Sequence, residues 1–331
     1  MLANLKGLFA PQAVAQSLKT LPPLETTIMD TYFKQRPTHP LPMLGISELK
    51  GVVQTVPVVR RDGAPLALDN EEMETNFFAP LPIKVQVPVT AAELNDLRLM
   101  LGNTASLEAW RTRKVDQIRN TIHATTEGMS TVALTTGKVS WPVQLPGGRM
   151  ETYGIDYGAP LVHELAAKLT ASSKLSEVYR LLRAMQQEIR MAGIGGKVEF
   201  VCGEDVTAVF LDMAEAYRST VQDAPVGIKL GDGEVRVGSY VIRFMDETYP
   251  DPVSGRWVPK LGPKLLMAVA VDVPGIIWYC AIDSISAKNA AVPLHIVPVA
   301  RDDDTGITLI GQAKPLPARP SRATCLCAAV A

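Results

Sequence analysis

"ITLIGQAKPLPARPSRATCLCAAV", Ile307–Val330, reads as an apolar strand, a proline-turned middle and a last apolar strand. Cys325 and Cys327 lie two apart in the second run, so they face the same side of a strand. A disulfide between neighbours so placed would strain it. The four cysteines, Cys202, Cys280, Cys325 and Cys327, form no CxxC pair and share no metal-ligand spacing with the four histidines. Buried thiols are the expectation.

Outward from that end, the chain after Gly233 is mostly β: "EVRVGSYVIRFMD", a turn through "PDPVSG", "KLLMAVAVD", "GIIWYCAID", "LHIVPVA" and the "RDDDTG" turn. Gly306 is expected to close that turn with φ > 0. Upstream, Leu175, Val178, Leu182, Met185 and Ile189 step by three and four until Gly193 stops the run, the clearest helix in the sequence. "KVEFVCG" is a short buried strand, and "EDVTAVFLDMAEAYR" a helix whose Glu204 and Asp205 complement its N-terminus. "PLVHELAAKL" opens with Pro160 at a favourable first helical position, which predicts a helix there as well. "KVSWPVQLPGGRMETYGIDYG" is a hairpin around Pro-Gly-Gly. This order of segments gives an α+β fold.

From Ser106 to Thr135, Leu107, Trp110, Val115, Ile118, Ile122, Met129 and Val132 keep helical spacing, with Arg111, Arg113, Asp116, Gln117 and Arg119 on the other face. Thirty residues of helix would span roughly 45 Å. A spine, not a packed core helix, is expected, bent or weakened at Gly128. Before it, an amphipathic segment, Leu5 to Leu21, leads into "TYFKQRPTHPLPMLG", an arm too proline-rich for regular helix or a central strand. Two β runs, "ELKGVVQTVPVV" and "PIKVQVPV", then flank "RRDGAPLALDNEEMETNFFAPLP", Arg60–Pro82. Loops beyond roughly 12–15 residues tend to be functional. This one reads as the tip of a two-stranded excursion.

Composition excludes several classes. With 33 Lys plus Arg against 34 Asp plus Glu there is no basic field for sequence-specific nucleic-acid binding. No secretory h-region opens the chain, which predicts a cytoplasmic start, and the longest apolar runs are broken by Asp272 and Pro274, so no membrane span is expected. "GIGGK" at Gly193–Lys197 lacks the P-loop spacing and is read as a helix end. "HELAAK" lacks the second zinc ligand, since Ala167 stands where His is required, so His163 is read as a packing or helix-surface residue. Asp302, Asp303 and Asp304 are adjacent rather than alternating and fit a solvated turn better than a calcium loop. No catalytic constellation, metal or cofactor site emerges. An α+β small-molecule enzyme with a site assembled from scattered residues is the alternative from another class.

"WVPKLGPKLLMAVA" at Trp257–Ala270, "PGIIWYCAI" at Pro274–Ile282 and, above all, Ile307–Val330 resemble the major capsid proteins of tailed phages of the lambda type, the capsid protein E family. Ala313 and Lys314 depart from the small residues that often follow the family's Gln. The resemblance implies the Hong Kong 97 type capsid fold, divided as an N-terminal arm (1–45), an extended loop (46–90), a peripheral domain with the spine helix (91–195), an axial domain (196–295) and C-terminal strands completing the body (296–331). It implies a non-enzymatic head protein that assembles into pentamers and hexamers around packaged double-stranded DNA, in the virion and, before that, the host cytoplasm. Implied partners are copies of itself, a scaffolding protein, a portal protein and a decoration protein, with non-specific contact to DNA. Arg60, Arg61, Asp69, Glu71, Glu72 and Glu74 would give polar register on a neighbouring subunit. Phe77 and Phe78 would either anchor there or pack under their own loop. No Lys lies between Arg60 and Ile83, so noncovalent lacing is expected.

Overall fold

The computed structural model describes residues 9–20, 26–45, 77–100, 104–145, 147–220, 228–231, 233–302 and 306–331. In chain order the elements are α1 (Pro11–Thr20), α2 (Thr27–Tyr32), β1 (Thr38–His39), β2 (Leu44–Gly45), β3 (Phe77–Phe78), β4 (Ile83–Thr90), α3 (Ala91–Met100) and α4 (Thr104–Thr136). Then come β5 (Lys138–Gln144), β6 (Met150–Asp156), β7 (Leu161–Val162), α5 (Leu175–Met191), β8 (Val198–Cys202), α6 (Glu204–Thr220), β9 (Ile228–Gly231), β10 (Glu234–Val237) and β11 (Tyr240–Phe244). The remainder is β12 (Thr248–Pro250), β13 (Trp257–Pro259), β14 (Leu265–Ala270), β15 (Ile276–Cys280), β16 (His295–Ala300), β17 (Gly306–Ala313), β18 (Pro315–Ala318) and β19 (Thr324–Ala328). The α+β expectation holds.

The chain divides into two compact units, each woven from separate stretches. The first takes Met1–Leu44, Phe78–Glu127 and Ile276–Pro317. Its main sheet has the order β16-β17-β4, antiparallel throughout, with Ile310 opposite Gln86 and Val297. Val87 and Val89 of β4 turn inward to meet Ile307 and Leu309 of β17 and Val115, Ile118 and Ile122 of α4, while Gln86 and Pro88 point out. Period-two alternation on a half-buried edge strand explains both the inward valines and the tolerated Pro88. A Cβ on Gly311 would stand 2.1 Å from the Ile118 side chain, so only glycine lets helix and sheet approach this closely. A second, small sheet, β1-β15-β18, places the proline-rich arm as a two-residue parallel edge beside Tyr279 and Cys280.

The second unit takes Gly45–Phe77, Gly128–Gly275 and Ala318–Ala331. It is built on a seven-stranded mixed sheet, β7-β19-β14-β8-β11-β10-β9. Val178, Leu181, Leu182, Met185 and Ile189 of α5 and Val206, Phe210, Met213 and Ala214 of α6 share one apolar cluster with Phe200, Ile242, Leu266, Ala268, Cys325 and Cys327. Ala268 lies opposite Cys325 and Leu266 opposite Cys327, so alternate residues of β14 and β19 feed the same face, as their spacing requires. α5 ends in a Schellman turn: Gly193 takes φ +84° and donates its N–H to Arg190 O, and Ile194 N–H reaches Ile189 O. The "GIGGK" glycines therefore end a helix.

Several expectations give way. Residues 160–169 are not helical: Leu161–Val162 pairs in parallel with β19, and the N–H groups of His163 and Leu169 donate to Leu326 O and Ala329 O, both at 2.8 Å. Leu169 is buried by this docking, so its four-residue spacing from Leu165 mimicked a helix face. The long helix forms, but it is a packed one, burying Met129, Ala133 and Leu134 together with Thr126, Glu127, Ser130 and Thr131. Gly306 does not have positive φ; it is a strand residue opposite Thr90, where a Cβ would stand 2.2 Å from Val89 O. β4 pairs along its whole length with β17, so it belongs to a sheet rather than to a free two-stranded excursion; the run Glu48–Val59 lies outside the described residues. α4 passes from the first compact unit to the second at Glu127 and Gly128.

Candidate functional site

No active-site geometry is present among the described residues, so the surfaces by which the chain can meet other molecules become the subject. Of the residues assigned to the loop, Arg60, Arg61, Asp69, Glu71, Glu72 and Glu74 lie outside the described residues. The structure places the backbone of Phe77 and Phe78 in β3, paired with β2 as a two-stranded ladder at the foot of that loop. Leu44 in this ladder is buried and Phe78 half-buried.

The N-terminal segment is tied to the long helix by a buried carboxylate. Glu127, 4% exposed, accepts the N–H of Ile28 at 2.8 Å through Oε1 and that of Met29 at 2.9 Å through Oε2. The first N–H groups of a helix lack intrahelical partners, and a carboxylate there satisfies them while opposing the helix dipole. Here the cap for α2 comes from about a hundred residues away, because Thr26 makes no side-chain cap of its own. Ile28, Met29, Tyr32 and Phe33 are all buried as a result. Asp30 accepts from Thr26 N–H at 2.9 Å and Thr26 Oγ1 at 3.1 Å and pairs with Arg36. Burial pushes its carboxyl up, but these hydrogen bonds and the guanidinium outweigh that and hold it below the usual range. Sequence reading missed Glu127; the signal was the polar run Thr125–Glu127 interrupting a periodic helix.

One cluster imitates a catalytic triad. His163 Nδ1 lies 2.6 Å from Glu188 Oε1, and Cys325 Sγ donates to Glu188 Oε2 at 3.2 Å. Burial, then the carboxylate itself, pushes the Cys325 thiol far up, which disfavours the reactive thiolate. Burial likewise pushes Cys202, Cys280 and Cys327 up to about 11. All four are buried free thiols. Lys314, buried, pairs with the exposed Asp283 at 3.1 Å, and buried Lys260 pairs with Glu247 at 2.5 Å. Among the described residues no group of His, Cys, Asp and Glu is placed to hold a metal ion. Asp302 begins a turn; Asp303 and Asp304 lie outside the described residues.

The outer surface carries single large apolar side chains on structured turns. Ile285, 97% exposed, tops a turn in which Lys288 and Asn289 both take positive φ, beside a shallow cleft of about 280 Å³ lined by Pro40, Pro42, Asp283 and Asn289. Trp257, 69% exposed, stands on the β12–β13 hairpin, whose tip Asp251 fastens through Ser254 N–H at 2.8 Å and Ser254 Oγ at 2.6 Å. No helix among the described residues is long and apolar enough to cross a membrane.

Comparison with known proteins places the fold and the family. No curated protein matches the chain. Among solved structures, a protein described as the capsid protein of an E. coli CFT073 prophage superposes with a TM-score of 0.61 at 16% identity, covering 99% of this chain and 99% of that one. The capsid of cyanophage A-1(L) follows with a TM-score of 0.52 at 12% identity over 92% and 93% of the two chains. That of cyanophage P-SCSP1u gives 0.50 at 11% identity over 93% and 90%. These likenesses establish the fold. A family profile described as phage major capsid protein E matches residues 11–331, and with that match the chain belongs to the phage major capsid protein E family.

Proposed function

We propose that the chain builds the head shell of a tailed phage by associating with copies of itself in rings of five and six, its N-terminal segment and the residues from 46 to 76 lacing neighbouring subunits. The observation that carries this reading is the family match across 11–331, with a fold shared along the full length of the prophage relative. A capsid shell protein is a structural, non-enzymatic part of the virion, and thiols held protonated by burial accord with that. The first compact unit takes the peripheral role in this reading and the second the axial role. Closed symmetry multiplies each modest contact around the shell. Arg60, Arg61, Asp69, Glu71, Glu72 and Glu74 supply polar register on the neighbour, and Phe77 and Phe78 stand at the loop's foot. Scaffolding, portal and decoration proteins are the further partners, with assembly in the host cytoplasm. A net charge of −1 suits a wall that encloses double-stranded DNA without gripping it, since affinity for DNA comes mainly from phosphate neutralisation.

Deleting Asp62–Asn76 tests the reading, because it spares the β2–β3 ladder. Circular dichroism and sedimentation of the variant are expected to show a folded subunit that no longer forms shells in negative-stain images. Normal shells, or a subunit that fails to fold, would overturn the lacing role.

A further inference from the structure

His123 lies on α4 one turn from Arg119 and one turn from Glu127, and its ring Nδ1 is buried without a hydrogen-bond partner. Such an orphaned polar atom is uncommon and calls for a reason. The charges close enough to act on the ring are those of Arg36 and Asp30 from the N-terminal segment and Arg119 one turn away on its own helix. The carboxylates nearby are engaged elsewhere. Asp30 holds Thr26 and Arg36, Asp116 holds Arg119 at 2.7 Å, and both oxygens of Glu127 hold the N–H groups of Ile28 and Met29. Arg119 is itself 8% exposed, so its charge is little screened by water.

We propose that His123 is an acid-sensitive catch for the segment Thr26–His39: neutral, it lets the segment lie against α4, and charged, its largely buried ring must lose water beside the guanidiniums of Arg36 and Arg119, only partly offset by the Asp30 carboxylate, and loosens that docking. The direction of the ring's titration agrees. Burial first, then Arg36 and Arg119, hold its pKa below 6.5, with Asp30 opposing. A released ring therefore binds a proton more readily than a docked one, so docking is favoured above about pH 6.5 and weakens as the pH falls below it. Asp30 acts in a different window. Its pKa is lowered from 3.8, so its contribution is present above that value and is lost only in stronger acid. Between about pH 6.5 and 5 the effect belongs to the histidine.

The test is backbone hydrogen exchange on the full chain, read as protection factors so that intrinsic rates cancel. Between pH 7.5 and 5.5 the amides of Thr26–His39, Ile28 and Met29 foremost, are expected to lose protection severalfold, up to the roughly tenfold limit that one group with an undocked pKa near 6.5 sets at pH 5.5. Amides of Leu175–Met191 should keep theirs. His123→Gln, uncharged at every pH, should hold the segment's protection level across the range, with His123→Asn taking its place if the Gln variant fails to fold. No loss of protection in the parent, or the same loss in the uncharged variant, overturns the proposal.

Discussion

The two compact units bury their polar groups differently. In the second, α5, α6 and the seven-stranded sheet meet across an almost wholly apolar cluster, and helix ends are finished locally, as Glu177 does by accepting Lys174 N–H at 3.1 Å and Gly193 by ending α5. In the first, a buried carboxylate from α4 caps a helix 98 and 99 residues earlier, Arg119 and Asp116 pair along α4 itself, and β4 finds β17 more than two hundred residues on. Apolar burial is nondirectional and tolerates approximate packing. Buried charges are stabilising only while every partner stays in place. The α5–α6 cluster of the second unit should therefore resist pH and fail on loss of volume, whereas the α2–α4 contact of the first should be sensitive to single polar changes.

The comparison breaks first in the apolar core. Leu182→Ala, at a position with no exposure, removes side-chain volume from the α5 face and should cost about 2–5 kcal/mol in chemical denaturation. A cost below about 1 kcal/mol would mean the cluster collapses freely and is not close-packed. Next comes Glu127→Ala, which strands two buried N–H groups; each unsatisfied donor costs about 1–3 kcal/mol. Its signature is local: proteolysis should open Thr26–His39 while α5 remains protected, and uniform protection would erase the contrast between the units.

Gly128→Ala sharpens the account of the long helix. The new Cβ would stand 2.5 Å from Trp141 Cη2, and Trp141 stacks on Tyr249 with centroids 6.4 Å apart. Overpacking of this kind costs about 1–3 kcal/mol, against the gain of less than about 1 kcal/mol that Ala brings to a helix interior. Net stabilisation measured by thermal unfolding would show that Trp141 yields without cost. The smallest effect belongs to Arg236→Ala. Its pair with Glu234 at 2.7 Å is exposed on the arginine side, and a change within about 0.5 kcal/mol is expected. A larger loss would make surface pairing part of what holds the second unit.

Where sequence reading succeeded, the chemistry was local. The α5 stripe, the Pro-Gly-Gly hairpin, the buried β8 run and the paired cysteines on one face of β19 all declare themselves within a few residues, because side-chain periodicity and turn geometry need no distant partner. It failed where a distant strand claimed the backbone. Residues 160–169 carry helical spacing, yet Leu326 O and Ala329 O lie within reach of their N–H groups, and the chain docks on β19. Gly306 looked like a turn residue because turns favour glycine; its smallness serves instead to let Val89 O come close. His123 had no legible role at all, since nothing local says that Arg36 and Asp30 will face it.

By itself, then, the sequence determined the α+β class, most of the elements and, through its motifs at Trp257–Ala270, Pro274–Ile282 and Ile307–Val330, the capsid family. The class and the elements follow from local propensity and periodicity, and the family from the resemblance of those motifs. Only the tertiary structure decided that the long helix is packed rather than a bare spine, that Glu127 holds the N-terminal segment, and that three separate stretches of chain make one unit. Those features depend on pairings across about a hundred residues and beyond, and a hydrogen-bond donor carries no sign of which distant acceptor will meet it.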